Sequence, residues 1–184
     1  MNKVWMKMRF GRITSSIVYE ASRCKVDGSL VAKMLGSKSI STFEMKRGLD
    51  LEQQVIDVVA SNYNIEIHQC GIILSSEYPV IGASPDGISN EYIVEVKCPS
   101  KAKNISMYYS QDFRIAPKFY SEIQIQMLLH GKLKALFCVA DVNFENSGII
   151  TVLETHFDKN YIIPIVKECE LFWKRYILPK LNKC

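Results

Sequence analysis

The six cysteines of this 184-residue chain include no Cys-x-x-Cys pair. Their dispersal argues against a zinc site and against a disulfide framework, and predicts reduced, mostly buried thiols. Nor does the chain contain an apolar run long enough to span a bilayer, or a signal-peptide core behind its N-terminus. The expectation is an intracellular protein, cytoplasmic in a bacterium or a phage-infected cell, nuclear or viral from a eukaryotic source. Internal repeats, low-complexity tracts and linker-like stretches are missing too, so residues 1–184 read as a single domain. Charge is only mildly one-sided: the formal net charge of +4 permits nucleic-acid binding without demanding it. What is there is a chain that is 48% apolar, enough to build one hydrophobic core.

Periodicity and punctuation place the elements. A helix is predicted to start at Ser16, ahead of Ile17-Val18-Tyr19-Glu20-Ala21. Ser41-Thr42-Phe43-Glu44 has the form of a capping box, with a helix running to about Asn62. Strand-like runs follow at Ile65 to Ser75, Val80 to Ser84 and Tyr92 to Cys98, punctuated by Gly82 and Gly87. A second helix is predicted from Pro117 to His130, two more strands over Ala135 to Val142 and Ile149 to His156, and a closing helix from Asn160 to Leu181, limited by Pro164 and Pro179. This order predicts a mixed α/β domain with a central sheet flanked by helices.

The stretch Ala83 to Ser100 carries the chemistry. Side chains alternate faces along a strand, so Glu95 and Lys97 share one face while Val94 and Val96 turn to the core on the other. Asp86, in the turn before this strand, is placed to fold back beside Glu95. Two adjacent carboxylates repel each other, and a divalent cation relieves the repulsion. Hard oxygen ligands with open positions suit Mg²⁺, and Lys97 is placed to orient or deprotonate a metal-bound water. A plain Glu–Lys pair on an edge strand is the alternative.

The preceding helix adds a third carboxylate. At about 100° per residue, Met45, Gly48, Leu49, Glu52, Val55, Ile56 and Val59 share a face, which puts Glu52 near the centre of an apolar stripe. A carboxylate there needs a partner. A metal site shared with Asp86 and Glu95 supplies one; a buried salt bridge is the alternative.

These residues carry a family resemblance. Ser84-Pro85-Asp86-Gly87 followed by Glu95-Val96-Lys97-Cys98-Pro99 resembles the core motif of the PD-(D/E)XK nuclease superfamily. Arg9-Phe10-Gly11-Arg12-Ile13-Thr14-Ser15-Ser16 resembles the opening of lambda-exonuclease-like proteins, including the YqaJ viral recombinase family. Gly48-Leu49-Asp50-Leu51-Glu52 resembles that family's G-x-x-x-E helix. Phe119-Tyr120-Ser121-Glu122-Ile123-Gln124-Ile125-Gln126-Met127 resembles its Y-Y-A-Q-I-Q-G-Q-M helix. The four stretches occur in family order between residues 9 and 127.

The resemblance implies a restriction-endonuclease-like fold and a 5′→3′ exonuclease acting on one strand of duplex DNA from 5′-phosphorylated ends. Asp86 and Glu95 would hold Mg²⁺, or Mn²⁺ in its place, helped by the Val96 carbonyl. Glu52 would complete the cluster, at a second ion or through a water, and Lys97 would position and activate the attacking water. Arg9, Ser16, Ser84 and Gln124 match positions that hold the terminal phosphate; taken singly, a solvated arginine, a helix cap and a satisfied core amide are the alternatives for Arg9, Ser16 and Gln124. A single-strand annealing protein as partner, work in recombination, and a homo-oligomer such as a ring-shaped trimer are implied likewise. Two positions depart from the pattern: Glu122 stands where the family commonly has glutamine, and Ile125 where it commonly has glycine.

Arginine's planar fork suits a phosphate, and Lys101, Lys103, Lys118, Lys132 and Lys134 are candidate backbone contacts. Three other readings share parts of this set. An endonuclease of the same superfamily needs Asp86, Glu95 and Lys97 but not Arg9, Ser16 and Gln124. A DNA-end-binding module needs the phosphate residues alone. A structural domain would use the acids and Lys97 as a buried ion network.

Overall fold

The computed structural model of the chain describes residues 3–37 and 43–183. In chain order its elements are α1 (Lys3–Arg9), β1 (Ile13–Thr14), a 3₁₀ turn (Ser15–Ile17), α2 (Val18–Ala21), α3 (Ser29–Met34) and α4 (Phe43–Tyr63). Next come β2 (Ile73–Leu74), β3 (Ile81–Ala83), β4 (Gly87–Ile88), β5 (Tyr92–Lys97), a second 3₁₀ stretch (Ala102–Met107) and α5 (Pro117–His130). The chain closes with β6 (Lys134–Ala140), α6 (Phe144–Ser147), β7 (Ile150–His156), α7 (Lys159–Tyr176) and α8 (Leu178–Leu181).

The mixed α/β architecture is as expected, but the described strands form two sheets rather than one. A three-stranded sheet runs β1-β3-β2 and a four-stranded sheet runs β4-β5-β6-β7. Each contains one parallel pair, β1 with β3 and β5 with β6, and the other pairs are antiparallel. β5 therefore lies inside its sheet, not at an edge. A strand paired on both sides and covered on both faces has a near-continuous apolar run, and Tyr92-Ile93-Val94-Glu95-Val96-Lys97 has one apart from its two charges.

Helices α4 and α5 cover the two faces of β5. On one face Val94 and Val96 pack with Leu51, Val55, Ile56 and Val59 of α4. On the other, Ile93 packs with Phe137 of β6 and with Ile123 and Met127 of α5. The third cluster joins β1, β3, α2 and α3 to α7 and takes Ile125 from α5. Helix α5 is therefore apolar on more than one side, and every residue from Ser121 to Met127 is buried. Pro117 starts it, and Gly131 ends it in the left-handed conformation (φ 64°) that glycine adopts without steric cost.

Several expectations are adjusted. Of the long strand expected over Ile65 to Ser75, only Ile73–Leu74 pairs as a strand, with a single bridge at His68. Ile65 and Ile67 instead pack on the α4 cluster. The closing helix is two helices, α7 running through Pro164 and α8 starting at Leu178-Pro179. Ser16 lies within the 3₁₀ turn, whose N-cap is Thr14. Ser41 and Thr42 of the expected capping box lie outside the described residues. The described cysteines are free thiols, Cys138 and Cys169 buried, the other three half-buried.

The stripe on α4 also differs from its helical-wheel reading. Met45 and Leu49 are exposed, while Leu51 is buried. The buried line is Leu51, Val55, Ile56 and Val59, so Glu52 stands at its margin rather than its centre.

Gly87 is required by packing rather than by a special φ. A Cβ built there would lie 2.5 Å from Ile67 Cγ2 and 3.5 Å from Val94 Cβ. Gly87→Ala should cost about 1–3 kcal/mol of stability, the usual penalty of overpacking, read as a lower urea midpoint at unchanged m-value.

Candidate active site

Four carboxylates line one cavity of about 390 Å³: Glu122 of α5, and three from three other parts of the chain. Glu52 reaches it from the middle of α4, at the margin of that helix's buried line, Asp86 from the turn ahead of β4, and Glu95 from the middle of β5. Asp86 is fixed by a 2.7 Å hydrogen bond that its Oδ2 accepts from the Val96 N–H, which ties the turn to the neighbouring strand. Glu95 is 3% exposed, and both of its oxygens are engaged. Oε1 accepts from Lys97 Nζ, and Oε2 accepts from Gln126 Nε2 at 2.6 Å.

Lys97 is the cation of this cluster. Besides Glu95 it meets Glu122 Oε2 at 3.3 Å, and its side chain is 19% exposed. Burial alone would lower its pKa, but Glu95, Glu122 and Asp86 outweigh it and hold the ammonium charged well above the ordinary value. In this arrangement Lys97 Nζ donates to Glu95 and meets Glu122. The acids feel the converse. Burial, then the charge of Glu95, raises the pKa of Asp86 and of Glu52, and Lys97 partly opposes the rise in both. Burial and Glu95 push Glu122 up to about 7, again against Lys97.

The second group of expected residues divides. Arg9, Ser16 and Ser84 line the same cavity as the carboxylates, with Thr14 and Ser15 between the first two. Arg9 Nη2 donates to Thr14 Oγ1 at 3.4 Å, and Thr14 Oγ1 and Ser16 Oγ lie 3.2 Å apart. Trp173 of α7 donates to the Gly11 carbonyl at 2.5 Å, which pins the turn that follows Arg9. This places Trp173 as a structural anchor.

Gln124 is not brought to the cavity. It is fully buried, its Nε2 donates to the His156 carbonyl at 2.8 Å, and its Oε1 accepts from the Asp158 N–H at 2.7 Å. Both ends of the amide are engaged in holding the β7–α7 junction, away from the cavity that Arg9, Ser16 and Ser84 line.

Glu122 and Gln126 are the residues of α5 that face the carboxylates; the sequence pointed to Glu122 only as negative charge close to the expected phosphate site, and gave Gln126 no role. The signal was available. Positions 122 and 126 are four apart and share a helix face, whereas 124 is turned by about 200° from 122. Of the candidate lysines, Lys118, Lys132 and Lys134 are tied to Glu20, the Asn90 carbonyl and Glu91 respectively, while Lys101 and Lys103 are exposed.

The donor set fits a hard divalent cation, since Glu52, Asp86 and Glu95 offer only carboxylate oxygens. Among the described residues, no group of three or more His, Cys, Asp or Glu side chains is gathered closely enough to hold an ion as it stands. Lys97 and Gln126 draw Glu95 to one side, and Val96 draws Asp86. Each carboxylate oxygen keeps a second lone pair for a further partner.

Two outcomes test this electrostatic reading. Gln126→Leu leaves Glu95 Oε2 buried without its donor and should cost about 1–3 kcal/mol in urea unfolding. Glu122 has a folded pKa raised to about 7 from 4.5, so the folded state favours its protonated form. Its stability contribution is complete below about pH 4.5 and lost as pH rises through 7. Glu122→Gln should therefore gain stability relative to wild type over that window, by at most roughly 1.4 kcal/mol per pH unit, in metal-free buffer.

Comparison with known proteins places these features. The chain shares its fold with two crystal structures of LHK-Exo. One, in complex with dAMP, gives a TM-score of 0.82 at 22% identity, covering 95% of this chain and 92% of that one. The other, the alkaline exonuclease LHK-Exo from Laribacter hongkongensis, gives 0.81 at 21%, covering 99% and 97%. A phage-related exonuclease from Haemophilus somnus 129PT follows at 0.68 and 14%, covering 94% and 96%. No curated protein matches the chain significantly in sequence. The model of the YqaJ-like viral recombinase domain matches residues 4–132, which include every residue of the cavity described above, and the chain belongs to that family.

Proposed function

We propose that the chain is a metal-dependent deoxyribonuclease that degrades one strand of duplex DNA from its 5′ end, in the service of recombination. The observation that carries this reading is the convergence of Glu52, Asp86 and Glu95 on one cavity, with Lys97 held against Glu95. Family membership supports a nuclease role, and the nucleotide dAMP bound to LHK-Exo is of the product class such an enzyme releases.

In this reading Asp86, Glu95 and the Val96 carbonyl hold Mg²⁺, with Mn²⁺ able to substitute, and Glu52 serves a second ion. Bound there, the metal supplies an activated water and stabilises charge on the scissile phosphate. The residues of the chain divide the remaining work. Gln126 and Lys97 fix the two oxygens of Glu95, and the Val96 N–H fixes Asp86. Lys97, kept charged by its acidic neighbours, orients the attacking water by donation. Arg9, Ser16 and Ser84, on the same cavity, receive the terminal 5′ phosphate of the strand through charge-assisted and hydroxyl hydrogen bonds.

The test is digestion of a linear duplex in Mg²⁺ beside a covalently closed circle. Mononucleotides should leave the linear strand from its 5′ end, the circle should stay intact, and chelation should stop the reaction. Glu95→Ala should lower the rate by more than about 100-fold, beyond what loss of a partner behind a metal ligand costs, with DNA binding kept. Nicking of the circle would move the same acids and Lys97 to an endonuclease. Full activity in Glu95→Ala would overturn the metal site itself.

A further inference from the structure

Glu122 occupies the wall of the cavity that also carries Arg9, Ser16 and Ser84. Its side chain is 7% exposed, so its carboxylate is held by the protein and not by solvent. Lys97 meets it at 3.3 Å, but Glu95 claims that same ammonium. Arg9, half-buried, lines the same cavity as Glu122.

A terminal phosphate brought to Arg9, Ser16 and Ser84 adds negative charge beside this carboxylate, in a partly desolvated cavity where repulsion is poorly screened. A terminal hydroxyl adds none, and it can donate a hydrogen bond to the carboxylate. An amide at position 122 would keep the shape of the wall without the charge. Serine and arginine donors pull the phosphate in; the carboxylate pushes it out.

We propose that Glu122 is a specificity-determining residue for the strand end: it narrows the advantage of a 5′ phosphate over a 5′ hydroxyl, so that this chain takes both kinds of end. The proposal rests on the nuclease reading above for the identity of the ligand, but its test does not depend on turnover.

Binding of duplexes that differ only in a 5′ phosphate or a 5′ hydroxyl is measured by fluorescence anisotropy at about pH 8.5, where Glu122, raised to about 7, is ionised, with Ca²⁺ replacing Mg²⁺, for wild type and Glu122→Gln. Wild type should bind the two ends within about three-fold of each other. Glu122→Gln should tighten the phosphorylated end by about ten-fold, equivalent to 1.4 kcal/mol, while the hydroxyl end changes little. A merely structural role for Glu122 would weaken both ends together and leave their ratio alone.

A wild-type preference for phosphate above about 50-fold overturns the proposal, and so does an unchanged ratio in Glu122→Gln. The wild-type ratio needs no variant, so it decides the matter even if Glu122→Gln does not fold. Turnover in Mg²⁺ is followed in parallel on both ends. If neither is degraded while the binding ratio shifts as expected, the nuclease reading falls and the role of Glu122 stands. If neither end binds, both fall.

Discussion

One buried ammonium organises this site. Lys97 sits between Glu95 of its own strand and Glu122 of α5, so a strand and the helix that covers it are joined by charge where their neighbours are joined by hydrocarbon. Burying such a network costs desolvation, and replacement by apolar residues of similar volume is often neutral or stabilising. Retaining it inside a layer of Ile93, Ile123, Met127 and Phe137 gives up stability that the surrounding core can supply. The return is a charged group held in one place at the edge of the cavity.

That constraint propagates outward. For Lys97 and Glu95 to stay together, β5 must be fixed on both edges, and it is, by β4 on one side and β6 on the other. Its far face must then be apolar, and Val94 and Val96 supply that against α4. The same packing sets the height of α4 over the sheet and so carries Glu52 to the cavity. Asp86 arrives by the β4–β5 hairpin, where Gly87 is the only residue that Ile67 leaves room for. Each carboxylate is thus placed by a different packing requirement, and the cavity exists where the three meet.

Much of this was legible in the sequence because strand and helix periods are geometric. Alternation along Tyr92 to Lys97 is enough to put Glu95 and Lys97 on one face. Asp86 was legible as a turn residue next to that strand. Glu52 was legible as an acid in an apolar pattern, although its exact place was not. The stripe through Met45 and Leu49 continues past the edge of the sheet, and only Leu51, Val55, Ile56 and Val59 find a surface to bury against. Periodicity reports which residues share a face, but not where the opposing surface stops. The two-sheet arrangement was hidden for a similar reason, since strands of two or three residues leave almost no pattern of their own.

Helix α5 marks the limit of such reading and also the way past it. On a helix with one wet face, polar residues can be assigned to water and set aside. From Ser121 to Met127 there is no such face, so each polar side chain has to be matched to a partner inside the protein. Ser121 takes the Pro117 carbonyl and Tyr161, Gln124 takes the β7–α7 junction, Glu122 takes Lys97, and Gln126 takes Glu95. Motif resemblance alone could not distribute these roles, because Gln124 and Gln126 look equivalent in a string of letters. Their separation of two residues makes them opposites on a helix, and one serves the scaffold while the other serves the site. Gln126 also keeps its Oε1 buried without a hydrogen-bond partner among the described residues, on the same amide whose Nε2 fixes Glu95. Such an acceptor is costly in a core and is retained only where its other end is needed, which is the same exchange of stability for placement that Lys97 makes.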